Sequence, residues 1–343
     1  MSWIDTSYEI AMKSYFVEKL GTIKGQELYD DYTSVRNSIE KDNLFDEIKG
    51  QEPNLSDHSA KHIQDVFERT YKVIGEENFK SFSVYEIYCL ALMILFHDVG
   101  NIFGRKGHDS KEKIATIYNK YRNNPSNYRD ERRVVIEGAS AHTGQSKNGS
   151  NDTLKFVNED SIRGERIDLK ELASILRFSD ELAEGKQRTC SFLLEQKLID
   201  KASEIYHLYA QITDVRIDRN LERISIAYHI DIPKKFTIAE QKKLKDLIAF
   251  TYKRAVKLDI ERRYTKNYSR IIEKFKYVVV QYNFTQEEIP FDFELNKVTF
   301  EDQYPIPGIQ INDNQNFAIE IFSNKDDNYD LKKLIEEIKN KIK

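Results

Sequence analysis

Residues 84–98 read V-Y-E-I-Y-C-L-A-L-M-I-L-F-H-D, an apolar stretch that stops at a histidine and an aspartate. A helix with so few polar residues has no face to give to water, so other elements must surround it. Its most apolar part, Cys89 to Phe96, is only about two helical turns long, short of a bilayer span and right for a core helix. The pair at its end is the second constraint. An imidazole and a carboxylate side by side against an apolar helix are costly to bury without a partner, and one cation satisfies both. The alternative is a helix-terminal histidine beside a capping aspartate.

Helical spacing extends on both sides of this stretch. Ile10, Met12, Tyr15, Phe16, Leu20, Ile23, Leu28, Tyr32 and Val35 predict two or three helices ending near Gly50. Q-E-P-N-L-S-D breaks the pattern, and a helix is expected over 57–74. A loop at 78–83 precedes the apolar helix; further helices are expected from Ser110 to Tyr121, Glu131 to Ala141 and Leu169 to Leu182. The stretch 144–161 is rich in Gly, Ser, Asn and Asp and reads as a mobile loop.

Past residue 200 the period changes. Ala210–Arg216 and Arg223–Ile232 alternate apolar and polar residues, as strands do, with a turn near 218–220. A long helix is expected over 238–275, then strands at 276–284, 298–300 and 317–322 and a Lys/Glu-rich closing helix. The fold class is therefore mainly α with a C-terminal α+β domain. The expected divisions are an N-terminal helical extension (1–50), a helical core (51–200) and an accessory domain (201–343).

With 343 residues, the chain is long enough for two domains. A net charge of −4 gives it no global attraction to nucleic acid or anionic membrane. The N-terminus M-S-W-I-D-T-S-Y-E lacks the pattern of a signal peptide. Its two cysteines, Cys89 and Cys190, fit a reducing cytoplasm rather than a disulfide framework.

Five of the seven histidines, His58, His62, His97, His108 and His142, fall within 58–142, and Asp180 follows in R-F-S-D-E-L. Each of His62, His97, His108, His142 and Asp180 is expected on a different helix. Helices that each project one ligand to a common centre build metal sites in bundles. Imidazole and carboxylate together suit Mn, Fe, Co, Ni or Zn better than Ca. A helical interaction protein without metal would require this clustering to be coincidence.

The order H … H-D … H … H … D resembles the HD superfamily of metal-dependent phosphohydrolases. H-D-V-G-N, the His eleven residues after His97, A-H-T-G and L-R-F-S-D-E-L look like the HD domain of bacterial endoribonuclease Y and kindred phosphodiesterases. L-S-D-H-S-A-K-H-I-Q-D-V resembles the paired-His opening of a subgroup associated with bacterial conflict and stress systems. The resemblance covers residues 55–190 and implies an HD-type helical bundle. It also implies that His62, His97, Asp98 and Asp180 ligate a primary divalent metal, and that His108 and His142 ligate a second, with Asp98 shared. His58 competes with His62 for the first position and is otherwise a catalytic group or substrate contact. A single-metal site in which His108 and His142 position phosphate is the competing arrangement.

One position departs from the family. Many relatives carry Lys after H-D-x-G, where this chain has Asn101. Arg105 and Lys106, then Lys186 and Arg188, are the candidates to bind substrate phosphate instead. The resemblance implies a hydrolase acting on a nucleotide, cyclic nucleotide or short oligonucleotide, with no membrane partner. The alternative is a catalytically weak nucleotide sensor that signals through the C-terminal domain, which could also carry a homo-oligomer or protein contact. Arg262, Arg263, Lys266 and Arg270 interleave with Tyr264 and Tyr268. Such a run binds single strands in some proteins, but on a long helix it is more often a solvated face.

Overall fold

The computed structural model describes residues 3–51, 59–122, 128–142, 152–196, 198–295, 297–302 and 331–342. The chain forms two compact units: Met1–Ala183 with Tyr264–Lys274, and Glu184–Arg263 with Phe275–Lys343.

The first unit is helical: α1 (Ser7–Leu20), α2 (Thr22–Lys41), α3 (Leu44–Gln51), α4 (Ala60–Ile74), α5 (Glu76–Phe79), α6 (Val84–Phe96), α7 (Lys111–Tyr121), α8 (Arg129–Ser140) and α9 (Leu169–Leu182). Its axis is α6, as the apolar stretch requires. Every side chain from Ile87 to Phe96 is buried, and α1, α2, α4, α8 and α9 pack around it. Most of the apolar span 84–103 thus lies inside the protein, with Phe103 exposed at its end. Ser83 and Glu86 start α6 with reciprocal hydrogen bonds, Ser83 Oγ accepting from Glu86 N and Glu86 Oε2 from Ser83 N. The flanking helices α8 and α6 approach closely at Gly138, where a Cβ would stand 2.4 Å from Met93 Cε.

Buried polar groups tie the N-terminal helices to this core. Arg122, at the end of α7, donates to Asp31 of α2 at 2.6 Å and to Glu131 of α8 at 2.8 Å. The Tyr88 hydroxyl of α6 lies 2.9 Å from each of the same two carboxylates, with one proton to share between them, and accepts from Arg122 Nη2 at 2.8 Å. Burial strengthens these bonds over their value in water, and half of such a network would be worse than an apolar core.

Two features of this unit have no strong local signal. A short hairpin, β1 (Asp160–Ile162) and β2 (Glu165–Ile167), turns on Arg163 and Gly164, both at positive φ. It begins in the last two residues of the stretch expected to be a mobile loop, of which 144–151 lie outside the described residues. The second feature is the return of 264–274 to this unit. Glu171 in the first turn of α9 accepts from Ser269 Oγ at 2.7 Å and from Ile271 N at 3.2 Å. Asp152 accepts from the hydroxyls of Tyr264 (2.8 Å) and Tyr268 (3.0 Å).

The second unit contains α10 (Ser191–Glu195), α11 (Lys201–Ile212), β3 (Thr213–Asp218), β4 (Arg223–Asp231), most of α12 (Ile238–Thr265), β5 (Tyr277–Gln286), β6 (Ile289–Pro290), β7 (Val298–Glu301) and α13 (Leu331–Lys341). β3 and β4 form an antiparallel hairpin, β4 runs parallel to β5, and β6 and β7 pair antiparallel with β5. One sheet face carries Ile224, Ile226, Tyr228, Val278, Val280 and Tyr282, all buried. Tyr228 donates to the Thr251 carbonyl of α12 at 2.9 Å, which seats that helix on this face.

Three expectations are corrected. Residues 210–212 complete α11 rather than begin a strand, because the alternation overlaps a helical end. The long helix stops at Thr265 instead of 275. The basic run across its end is only partly a solvated face, with Arg270 exposed. Arg262 is fully buried and donates to Asp259 and the Phe275 carbonyl at 2.7 Å, Tyr264 and Tyr268 spend their hydroxyls on Asp152, and Arg270 pairs with Glu171. The expected strand at 317–322 lies outside the described residues.

Candidate metal centre

Each helix delivers its group through its own pattern. On α4 the buried stripe His62, Ile63, Val66, Phe67, Thr70, Val73, Ile74 follows helical spacing, so His62 faces inward with the core. His97 ends α6 and Asp98 opens the 3-10 turn Val99–Phe103. The chain then doubles back through Gly104 (φ +90°) and Gly107 (φ +64°) to His108, before Ser110 caps α7. This loop closes tightly: a Cβ on Gly100 would lie 1.8 Å from the His108 carbonyl oxygen. His142 follows α8 by two residues, and Asp180 sits in the last turn of α9.

These six side chains meet in two groups, His62–His97–Asp180 and Asp98–His108–His142, with the donor atoms of each group within 4.8 Å of one another. Asp98 faces both. Its Oδ2 is 3.7 Å from His62 Nε2 and 3.5 Å from His97 Nε2; its Oδ1 is 3.5 Å from His108 Nε2 and 3.7 Å from His142 Nε2. Asp180 Oδ1 completes the first group, 3.2 Å from His62 Nε2 and 3.7 Å from His97 Nε2.

Three of the imidazoles are oriented the same way. Nδ1 of His97 donates to the Ile94 carbonyl at 2.8 Å, Nδ1 of His142 to Ala139 at 2.7 Å, and Nδ1 of His108 to Arg105 at 3.1 Å. A proton committed to Nδ1 leaves Nε2 as the bare nitrogen, and in each ring that is the atom turned toward the carboxylates. Nε2 of His97 is buried with carboxylate oxygens at 3.5 and 3.7 Å, beyond hydrogen-bond length. Ligands bonded at about 2.1 Å in a tetrahedron or octahedron stand roughly 3.0–3.4 Å apart, close to the separations here. The residues present therefore fit a divalent metal, and the donor set could hold one in either group.

The electrostatics agree. Burial acts to lower the His97 pKa, but Asp98 and Asp180 outweigh it and raise the value to about 9. Burial also works against the charge on Asp180, yet contacts with His62 and His97 bring its pKa well below the usual range. His108 is depressed to about 4 by burial and by the neighbouring His142 and Arg105, despite Asp98. The first group attracts a positive charge, whether proton or metal, while the second keeps a neutral imidazole lone pair on His108.

Of the other sequence candidates, Arg105 lies at the cluster, its Nη1 3.4 Å from His108 Nε2. Lys106 is exposed on the same loop. Lys186 and Arg188 belong to the second unit, where Arg188 is buried and its Nη1 donates to Glu184 at 3.3 Å. His58 lies outside the described residues. Asn101 is the position that departs from the family pattern. It is buried, and its Nδ2 donates to the Asp98 backbone carbonyl and to Asp98 Oδ1, both at 3.0 Å. The three-residue spacing within one helical turn is the signal that could have linked the two.

Comparison with curated proteins and with solved structures finds no match. A family model does match, over residues 52–254, more than half of the chain and the stretch that carries all six clustered side chains. With a mainly helical unit around a buried His–Asp pair and this ligand set, the chain belongs to the HD-CE family.

Proposed function

We propose that the helical unit is a metal-dependent phosphohydrolase acting on a nucleotide, cyclic nucleotide or short oligonucleotide, with the phosphodiester of the latter two favoured over a monoester or anhydride. The observation that carries this reading is the shared carboxylate: Asp98 turns one oxygen to His62 and His97 and the other to His108 and His142. A carboxylate placed this way suits a pair of divalent cations, and the sequence resemblance to endoribonuclease Y favours a diester.

Bound metal would supply Lewis acidity toward a phosphoryl oxygen and lower the pKa of water. The chain's own residues do the rest. His62, His97 and Asp180 would hold one cation, and His108 and His142 the other, with Asp98 serving both. The carbonyls of Ile94, Arg105 and Ala139 fix the imidazole planes, which removes reorganisation at the moment of reaction. Asn101 holds the Asp98 carboxylate by its Oδ1, and Arg105 and Lys106 supply positive charge on the loop beside it. Burial of the cluster strengthens each of these interactions over its value in water.

The test is a hydrolysis panel with added Mn(II): a generic aryl phosphodiester, nucleoside mono- and triphosphates, cyclic nucleotides and short RNA. The proposal expects turnover of a diester that is abolished by chelator and by Asp98→Asn. Bound metal without turnover on any member would favour the nucleotide-sensor reading instead.

A further inference from the structure

Arg105 holds the His108 ring from two sides. Its carbonyl accepts from Nδ1 at 3.1 Å, while its Nη1 lies 3.4 Å from Nε2. The same Nη1 donates to Asn101 Oδ1 at 3.3 Å, and Asn101 in turn donates to Asp98 Oδ1, the oxygen that faces His108 and His142. A guanidinium has only N–H groups to offer and no lone pair, so beside Nε2 it can act only as a donor. A divalent cation requires that same lone pair. Two cationic groups cannot share one nitrogen, and they repel at this range.

We infer that Arg105 competes with a cation for the Asp98–His108–His142 group and, when displaced from His108, becomes the contact for a substrate phosphate oxygen. This rests on the hydrolase reading and deepens it. The residue is suited to both roles. Its backbone is fixed in the loop by the His108 contact, while the residue as a whole is exposed, which leaves the side chain room to move. A guanidinium meets two phosphate oxygens at once, which an ammonium does not. The chain then needs no lysine at position 101: the Asn101 amide orients Asp98 and receives the guanidinium that supplies the charge. Second-cation loading and substrate binding are coupled through one side chain.

The experiment titrates Mn(II) into chelator-stripped wild type, Arg105→Gln and Arg105→Lys, following stoichiometry and affinity by calorimetry. Hydrolysis of bis(p-nitrophenyl) phosphate is then measured at saturating Mn(II). The inference expects Arg105→Gln to bind the second cation about tenfold or more tightly, while kcat/KM falls by about a hundredfold. Arg105→Lys keeps the charge and should stay near wild type in metal affinity with intermediate activity. A wild type that takes one cation while Arg105→Gln takes two supports the inference equally. A purely structural role would weaken both properties together, and that result, or unchanged metal binding in Arg105→Gln, overturns the inference while leaving the hydrolase reading intact. A wild type that binds no metal overturns both.

Discussion

Gly100→Ala tests whether the loop after the His–Asp pair is built around a backbone contact. The added Cβ would stand 1.8 Å from the His108 carbonyl oxygen, 2.7 Å from its carbonyl carbon and 3.1 Å from its Cα. All three are backbone atoms, so no rotamer change relieves the clash. Ordinary carbon–oxygen contacts lie at about 3.3 Å or more, so the two strands of the loop must separate by roughly 1.5 Å. Overpacking of this kind costs about 1–3 kcal/mol or more. The displaced residue is His108, and ligands tolerate only about 0.2 Å of error. Urea unfolding of the metal-stripped variant should therefore show the loss in midpoint, and Mn(II) titration should show a weakened Asp98–His108–His142 group with His62–His97–Asp180 still competent. Gly50→Ala, in α3 with nothing within 4 Å of the new methyl, is the control and should be neutral or slightly stabilising. A Gly100→Ala protein with wild-type midpoint and wild-type metal binding would refute the reasoning.

Stripped of metal, the protein should be most stable near neutral pH. His97, raised to about 9, contributes stability that is complete below its ordinary value of 6.5 and is lost as pH rises through 9. His108, depressed to about 4, contributes stability present above 6.5 and lost as pH falls toward 4. Urea midpoints from pH 4 to 10 in chelator should decline on both sides, and a midpoint flat from pH 7 to 10 would contradict the His97 assignment. Arg262→Met should destabilise by about 1–3 kcal/mol, since it takes one of two arginines from the buried Asp259 carboxylate, which keeps Arg263 at 2.8 Å, and leaves the Phe275 carbonyl without that donor; a loss under about 0.5 kcal/mol in equilibrium unfolding would refute this. Tyr264→Phe removes the acceptor for Leu154 N and a donor to Asp152, and should cost about 1–3 kcal/mol by the same assay, with no loss expected if those bonds are incidental.

The candidate site was legible in the sequence because its groups fall at the ends of helices whose punctuation is also in the sequence. Ser83, Ser110 and Asp168 cap α6, α7 and α9 at the expected starts, and the apolar helix ends where His97 and Asp98 need to be. The alternation of β4 and β5 was equally plain, because one sheet face is buried and the other is not. What the sequence hid depends on partners distant along the chain. Tyr264 and Tyr268 are more than a hundred residues from Asp152, so nothing local distinguishes them from a nucleic-acid stripe. Arg262 differs: Asp259 lies three residues earlier, one helical turn away, and that pairing was available to a reading that weighed charge as well as period. The hairpin at 160–167 escaped because Arg163–Gly164 is not one of the common two-residue turn pairs.

The central claim is that Asp98 joins two metal-ligating groups, and elemental analysis of purified wild type and Asp98→Ala, after loading with Mn(II) and removal of excess, tests it most directly. The account predicts about two cations per wild-type chain and loss of both in the variant, with circular dichroism showing the helices retained. A wild type that holds no metal after loading, or an Asp98→Ala protein that holds as much as wild type, would contradict it.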